Sequence, residues 1–112
     1  MVGTNVIRVL VVDDQPSFCH LARHILSKNS DRFLVSEAND ASSALRLVQE
    51  LAPDLVLMDV EMPGTNGLEA TLSIRAHCPS VKVIAMSFHE EAEHKKLAFE
   101  AGATDFVPKR EF

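Results

Sequence analysis

The sequence predicts an α/β protein in which five parallel strands form a doubly wound sheet with helices on both faces. Three observations lead to this prediction. Strand and helix patterns alternate along the 112 residues, turn residues separate them, and the first and third strands are nearly all apolar. Such runs are typical of parallel strands that are buried on both faces and joined by right-handed crossovers.

Each element has its own pattern. Apolar and β-branched runs predict strands at 7–12, 33–38, 55–58, 81–86 and 106–107. Apolar residues at helical spacing predict helices over 16–28, after Asp40, over 68–77 and over 90–101. The buried face of the first helix is expected to contain Phe18, Leu21, Ala22 and Ile25. Asp40 is the expected N-cap of the second helix, and Gly102 is expected to end the fourth.

The sheet edges and the C-terminus are also marked in the sequence. The second strand alternates apolar and polar residues, and Pro108 suits an edge strand better than a central one. No helix pattern lies between the fifth strand and Phe112, so the final helix of the fold is expected to be absent from this chain. We therefore expect one face of the sheet to be poorly covered. This predicts a domain cut from a longer protein, or self-association through that face.

Composition argues against several functional classes. The 11 basic and 16 acidic side chains give a net charge of −5 at pH 7, which argues against a nucleic-acid-binding surface in this segment. No apolar run is long enough to span a membrane, so no membrane partner is expected. Cys19 and Cys78 form no C-x-x-C pair and favour a reducing, cytoplasmic location. The sequence contains neither the phosphate loop G-x-x-x-x-G-K-[ST] nor the dinucleotide-binding pattern G-x-G-x-x-G, which argues against nucleotide binding.

Polar side chains follow four of the five predicted strands. They are Asp13 and Asp14 after the first strand, Asp59 after the third, Ser87 after the fourth and Lys109 after the fifth. In a doubly wound sheet these positions meet at the edge where ligands bind. Close carboxylates repel one another by about 4 kcal/mol per pair at a separation of about 4 Å, so a cation is expected between them. Their oxygen atoms suit Mg²⁺.

These groups together predict a site that receives a phosphoryl group. Asp59 is the expected nucleophile, and Mg²⁺ and Lys109 would neutralise charge on the transferring oxygens. Considered alone, each residue also has a structural interpretation: Asp14 and Ser87 as helix caps, Asp59 as a turn residue and Lys109 as a solvated charge. Their shared placement at strand ends favours the functional interpretation.

Four segments resemble the receiver domain of two-component response regulators. They are VVDD at 11–14, LMDVEMPG at 57–64, AMS at 85–87 and FVPK at 106–109. The resemblance covers residues 7–109 and implies a flavodoxin-like fold with the strand order 2-1-3-4-5. It also implies a single receiver domain over 1–112 that lacks the usual fifth helix. Arg110 departs from the family pattern, in which a proline often follows the lysine.

The resemblance implies roles for the acidic residues. Asp59 would accept a phosphoryl group from a sensor histidine kinase or a phosphotransfer protein. Asp13 and Asp14 would hold Mg²⁺ together with Asp59, and the main-chain carbonyl of Glu61 would be a further metal ligand. The domain would thus be a regulator that assists its own phosphorylation and dephosphorylation, rather than an enzyme acting on a separate substrate.

A conformational switch is implied as well. Ser87 would turn toward the phosphoryl group while Phe106 rotates inward, and Lys109 would sense the added charge. In sequence, a switch aromatic at position 106 looks the same as a core aromatic. We expect the side chains of Glu61 and His89 to modulate the rate at which water attacks the acyl phosphate.

The output of the domain is less constrained by its sequence. Residues 87–91 are similar to receivers that precede helix-turn-helix DNA-binding domains, so an output domain beyond residue 112 and a role in transcription regulation are expected. The alternative is a receiver-like scaffold that binds partners without being phosphorylated. The complete set of site residues argues against that alternative.

Overall fold

The computed structural model describes residues 6–29, 31–62, 67–88 and 92–112. Within these ranges, strands and helices alternate as predicted. The strands are β1 (Ile7–Val12), β2 (Phe33–Ala38), β3 (Leu55–Asp59), β4 (Lys82–Ser87) and β5 (Asp105–Pro108). The helices are α1 (Pro16–Asn29), α2 (Ala41–Leu51), α3 (Gly67–His77) and α4 (Ala92–Glu100). The predicted start of α4 at residue 90 lies outside the described residues.

All five strands are parallel and lie in the order β2-β1-β3-β4-β5, which confirms the predicted topology. β2 and β5 are the edge strands, so the alternating pattern of β2 and the proline of β5 were correctly assigned to edges. In the register, Val12 lies opposite Met58, and Asp59 lies opposite Met86. The residues that follow β1, β3 and β4 therefore meet at one edge of the sheet.

The sheet buries apolar side chains on both faces. One face packs Leu10, Val56 and Val83 against Ala44 of α2 and Ile74 of α3. The other face packs its own set of strand residues, together with residues of α1: Val9, Val11, Leu57, Met86, Phe18, Cys19 and Ala22. Each fully buried aliphatic side chain contributes roughly 1.5–3 kcal/mol, which explains why β1 and β3 are apolar at consecutive positions.

Two helix ends form as predicted. The Asp40 carboxylate accepts a hydrogen bond from the N–H of Ser43 at 2.7 Å, which satisfies one of the free donors at the start of α2. Gly102 follows α4 with a φ of 106°, a left-handed conformation that favours glycine.

One detail of α1 differs from the prediction. Leu21 is 45% exposed, whereas Cys19 is completely buried. The buried side of the helix contains Phe18, Cys19 and Ala22, with Leu26 partly buried beside them, so it is rotated away from Leu21. The Cys19 thiol fits because it is small and lies 3.8 Å from the main-chain oxygen of Asp13.

The chain continues past β5 into a short 3₁₀ turn, Lys109–Glu111. The Phe112 ring then packs against the Phe18 ring in a T-shaped arrangement, with the two centroids 5.3 Å apart. Leu55 and Ile84, on the same face of the sheet as α1, remain only partly buried. Among the described residues, no helix has the length and apolar character needed to cross a membrane.

Candidate functional site

The carboxyl edge of the sheet brings three aspartates together. Asp13 follows β1 and is completely buried, Asp59 ends β3 and is 3% exposed, and Asp14 is exposed. One carboxylate oxygen from each lies within 4.8 Å of the other two. The cluster therefore combines two enclosed carboxylates with one that is open to solvent.

Main-chain donors hold the two buried carboxylates in place. Asp13 Oδ1 accepts from the N–H of Gln15, and Asp59 Oδ1 accepts from the N–H of Glu61, both at 2.9 Å. These are the local turns that aspartate makes with the residue two positions later. Asn39, which follows β2, donates through Nδ2 to the main-chain oxygen of Asp13 at 2.9 Å. The sequence interpretation missed Asn39, although its position after a strand was a signal.

Lys109 lies between the two buried carboxylates. Its Nζ atom is 2.6 Å from Asp13 Oδ2 and 3.4 Å from Asp59 Oδ2, and the residue is 5% exposed. Burial alone would lower the pKa of Lys109, but the hydrogen bond to Asp13 and the charges of both aspartates raise it above its usual value. Lys109 is therefore protonated throughout the neutral range.

Two aromatic rings flank the Lys109 ammonium group. Nζ lies 4.5 Å from the centroid of Phe18 and 4.9 Å from the centroid of Phe88. A cation over an aromatic face is attracted to the ring quadrupole, and the attraction is stronger when the cation is desolvated. Phe18 and Phe88 thus fix the position of the ammonium group. The sequence interpretation assigned neither Phe18, which lies in α1, nor Phe88, which follows β4, to the site.

The electrostatics of Asp59 depend on its burial. Burial raises the pKa of the Asp59 carboxyl above its ordinary value, the N–H of Glu61 opposes this rise, and the charge of Asp13 reinforces it. Lys109 offsets only part of the effect. Without a divalent cation, the ionised Asp59 carboxylate therefore destabilises the fold at neutral pH.

Asp59→Asn should raise the free energy of unfolding by about 1 kcal/mol at pH 7 in the absence of divalent ions. Because the pKa of Asp59 is higher in the folded state than in the unfolded state, the folded state takes up its proton first as the pH falls. The wild type should therefore become more stable as the pH falls from the raised pKa to the ordinary carboxyl pKa. The stability difference between the variant and the wild type should shrink over the same interval. Urea unfolding at several pH values measures it, with the exposed Asp31→Asn as control. A larger difference at low pH would contradict the assignment.

Ser87 and Glu61 meet at the end of β4. Ser87 is completely buried, and its hydroxyl donates a hydrogen bond to Glu61 Oε1. The main-chain N–H of Phe88 donates to the same oxygen at 2.9 Å. The helix cap predicted for Ser87 would involve residues 89–91, which lie outside the described residues. His89 lies outside the described residues.

Phe106 lies inside the protein. It is 9% exposed and belongs to the same apolar cluster as Ala85 of β4 and Ala98 of α4. Lys95 Nζ lies 5.7 Å from the centroid of its ring. In this state Phe106 is a buried aromatic that connects β5 with β4 and α4.

Gly67 explains how α3 approaches the site. A Cβ atom added at Gly67 would lie 2.8 Å from the Cα atom of Val60 and closer still to the main-chain oxygen of Asp59. Only a residue without a side chain lets the start of α3 pack directly against the end of β3. This close approach fixes the main chain that carries Asp59.

Comparison with known proteins identifies the family that this site belongs to. Residues 9–111 match the family model described as "Response regulator receiver domain". The chain belongs to the response regulator receiver family. The match covers more than nine-tenths of the receiver domain described above, from the middle of β1 to the 3₁₀ turn. Receiver domains of this family are signalling domains of two-component systems, and some of them regulate transcription.

Curated relatives and solved structures agree with this assignment. The receiver domain is 32% identical to the transcriptional regulatory protein DegU of Brevibacillus brevis over 108 residues, which cover 96% of this chain and 46% of DegU. It is 43% identical to a protein-glutamate methylesterase/protein-glutamine glutaminase of Nocardioides sp. over 105 residues, which cover 92% of this chain and 29% of that protein. The chain thus spans less than half the length of these relatives.

Among solved structures, the receiver domain of the putative response regulator NarL from Mycobacterium tuberculosis superposes with a TM-score of 0.87 at 33% identity. The superposition covers 95% of this chain and 86% of that one. A two-component response regulator of the LuxR family from Aurantimonas sp. superposes with a TM-score of 0.86 at 35% identity, covering 93% and 74% of the two chains. These structures confirm the flavodoxin-like fold.

Proposed function

We propose that this receiver domain is a phosphoacceptor switch in which Asp59 is the phosphorylated residue. One observation carries the proposal: the Asp59 carboxylate is buried at the sheet edge, and a lysine that is also paired with Asp13 lies 3.4 Å from one of its oxygens. If Lys109 only formed a structural ion pair with Asp13 and Asp59, the third carboxylate at this edge, that of Asp14, would not be needed. An enclosed carboxylate next to a fixed cation suits the transfer of an anionic group.

The proposed reaction is a transfer between two covalent carriers. An oxygen of Asp59 attacks the phosphorus of a phosphohistidine on a sensor kinase or phosphotransfer protein. The P–N bond breaks, its electron pair stays on the imidazole, and the imidazole takes up a proton. Lys109 neutralises negative charge on the transferring oxygens. Later, water attacks the acyl phosphate, which regenerates the Asp59 carboxylate and releases inorganic phosphate.

The residues present fit a magnesium ion. Asp13, Asp14 and Asp59 offer carboxylate oxygens, which Mg²⁺ prefers, and the exposed position of Asp14 leaves room for bound water. We propose that these three residues and the main-chain carbonyl of Glu61 hold the ion. When bound, Mg²⁺ would neutralise negative charge on the carboxylates and the phosphoryl oxygens.

The proposed switch connects the site to the surface around α4. Ser87, at the end of β4, would turn toward the phosphoryl group, and Lys109 would sense its charge. Phe106 packs in the cluster that contains Ala85 of β4, so a shift of the segment after β4 would be transmitted to Phe106. The side chains of Glu61 and His89 would then modulate the lifetime of the acyl phosphate.

The wider assignments also remain proposals. The name of the Brevibacillus relative describes a transcriptional regulatory protein, and this supports a DNA-binding output domain beyond residue 112. We also propose a cytoplasmic location. Leu55 and Ile84 are only partly buried on the face of the sheet that α1 covers, and this supports self-association through that face.

Intact-mass measurement after incubation with acetyl phosphate tests the phosphoacceptor proposal. The wild type should gain one phosphoryl group with Mg²⁺ and none without it, and Asp59→Asn should gain none under either condition. The control is Asp31→Asn, which removes an exposed carboxylate and should behave as the wild type. If Asp59→Asn gains the same phosphoryl group, Asp59 is not the acceptor. If the wild type gains none, the scaffold alternative is favoured.

A further inference from the structure

The Glu61 carboxylate accepts two hydrogen bonds from residues at the end of β4. Its Oε1 atom accepts from the Ser87 hydroxyl and from the main-chain N–H of Phe88, the second at 2.9 Å. A hydroxyl and an amide that converge on one anionic oxygen form a small anion-binding pair. The contact joins the segment that follows the phosphoacceptor Asp59 at the end of β3 to the end of β4.

Glu61 and a phosphoryl group on Asp59 would compete for the same two hydrogen-bond donors, Ser87 and Phe88. A serine hydroxyl has one proton and a main-chain amide has one. While Ser87 and Phe88 donate these protons to Glu61, neither donates them to an oxygen of a phosphoryl group on Asp59. The phosphoryl group would also bring a charge of roughly −1.5 to −2 close to the Glu61 carboxylate, so the two anions would repel each other.

The backbone keeps Glu61 close to the acceptor. Its N–H donates to Asp59 Oδ1 at 2.9 Å, so one residue contacts the acceptor carboxylate through its main chain and the β4 donors through its side chain. A water-directing role would need the Glu61 carboxylate to bind the attacking water in the phosphorylated state. The observed contacts instead place the carboxylate where it occupies the donors before phosphorylation.

We infer that Glu61 is an internal competitor of the phosphoryl group: its carboxylate binds Ser87 and Phe88 in the unphosphorylated state and must release them before they bind phosphate. The inference rests on the proposed function. It predicts that Glu61 weakens the binding of any phosphoryl-like anion at Asp59, whether or not hydrolysis follows.

Titration with beryllofluoride, a phosphoryl analogue, measures this competition without hydrolysis. Calorimetry in the presence of Mg²⁺ would compare the wild type with Glu61→Ala, Glu61→Gln and the control Glu50→Ala. Glu50 is exposed on α2, so its replacement makes the same change in net charge away from the site. Glu61→Ala should bind about 10-fold more tightly, since no charge-assisted hydrogen bond has to be broken. Glu61→Gln should show a smaller gain, and Glu50→Ala none.

The free proteins provide a second measurement. In an NMR spectrum without ligand, the amide proton of Phe88 should move upfield in Glu61→Ala, because it loses a charged acceptor, and it should stay in place in Glu50→Ala. An unmoved Phe88 amide, or equal beryllofluoride affinity of the wild type and Glu61→Ala, overturns the inference and leaves the phosphoacceptor proposal intact. If the wild type does not bind beryllofluoride at all, both fail.

Discussion

Lys109→Met should lower the free energy of unfolding by about 3 kcal/mol at pH 7 in the absence of divalent ions. Lys109 is the cation that lies 2.6 Å from Asp13 and 3.4 Å from Asp59, and both carboxylates are almost inaccessible to solvent. Methionine keeps most of the side-chain volume, so the loss would come from two buried negative charges without a partner. Urea unfolding followed by circular dichroism measures this change.

Two further variants separate the charge effect from a packing defect. Lys96→Met replaces an exposed lysine of α4 and should change stability by less than about 0.5 kcal/mol. Adding Asp13→Asn to Lys109→Met removes one of the unpaired charges and should restore part of the lost stability. If the double variant is less stable than Lys109→Met, the loss is not caused by the buried carboxylates.

Gly67→Ala should also be strongly destabilising, by about 3 kcal/mol. The added methyl group would overlap main-chain atoms of Asp59 and Val60, and backbone cannot move aside as the end of a flexible side chain can. On an open helix the same substitution would be favourable, because alanine is the better helix former. The expected sign is therefore opposite to the one that helix propensity predicts.

The control for Gly67→Ala is Ser73→Ala in the same helix, which should change stability by less than about 0.5 kcal/mol. Thermal unfolding compares the two variants with the wild type. An NMR spectrum of Gly67→Ala should in addition show a shifted Asp59 amide, because α3 and the end of β3 have to separate. A Gly67→Ala variant as stable as the wild type would mean that α3 begins further from β3 than described.

Most of the fold could be predicted because its signals are local. The apolar runs of β1 and β3 and the alternation in β2 depend on residues that are adjacent in sequence, and the parallel arrangement follows from the rules of crossover connections. The strand order was implied by the resemblance to receiver domains. The exception in α1 has a physical reason. The prediction took the apolar residues at helical spacing, which include Leu21, whereas the close packing of the helix on the sheet selected the smaller Cys19.

The parts of the site that escaped prediction depend on contacts between distant segments. The convergence of Asp13, Asp14 and Asp59 follows from topology, and the sequence predicted it. The bond between Glu61 and Ser87 depends on two side-chain rotamers, one after β3 and one at the end of β4, which no pattern specifies. The same holds for the rings of Phe18 and Phe88 beside Lys109.

The burial of Cys19 has a practical consequence. Burial raises the pKa of the Cys19 thiol to about 11, with a smaller contribution from the charge of Asp13. At pH 8 only about one such thiol in a thousand is ionised, and it is closed to reagents. Cys78 is partly exposed, and the chain contains neither tryptophan nor tyrosine. Among the cysteines of these 112 residues, Cys78, just after α3, is therefore the one that a thiol-reactive fluorescent label should modify. The label would report on the domain without intrinsic tryptophan or tyrosine fluorescence.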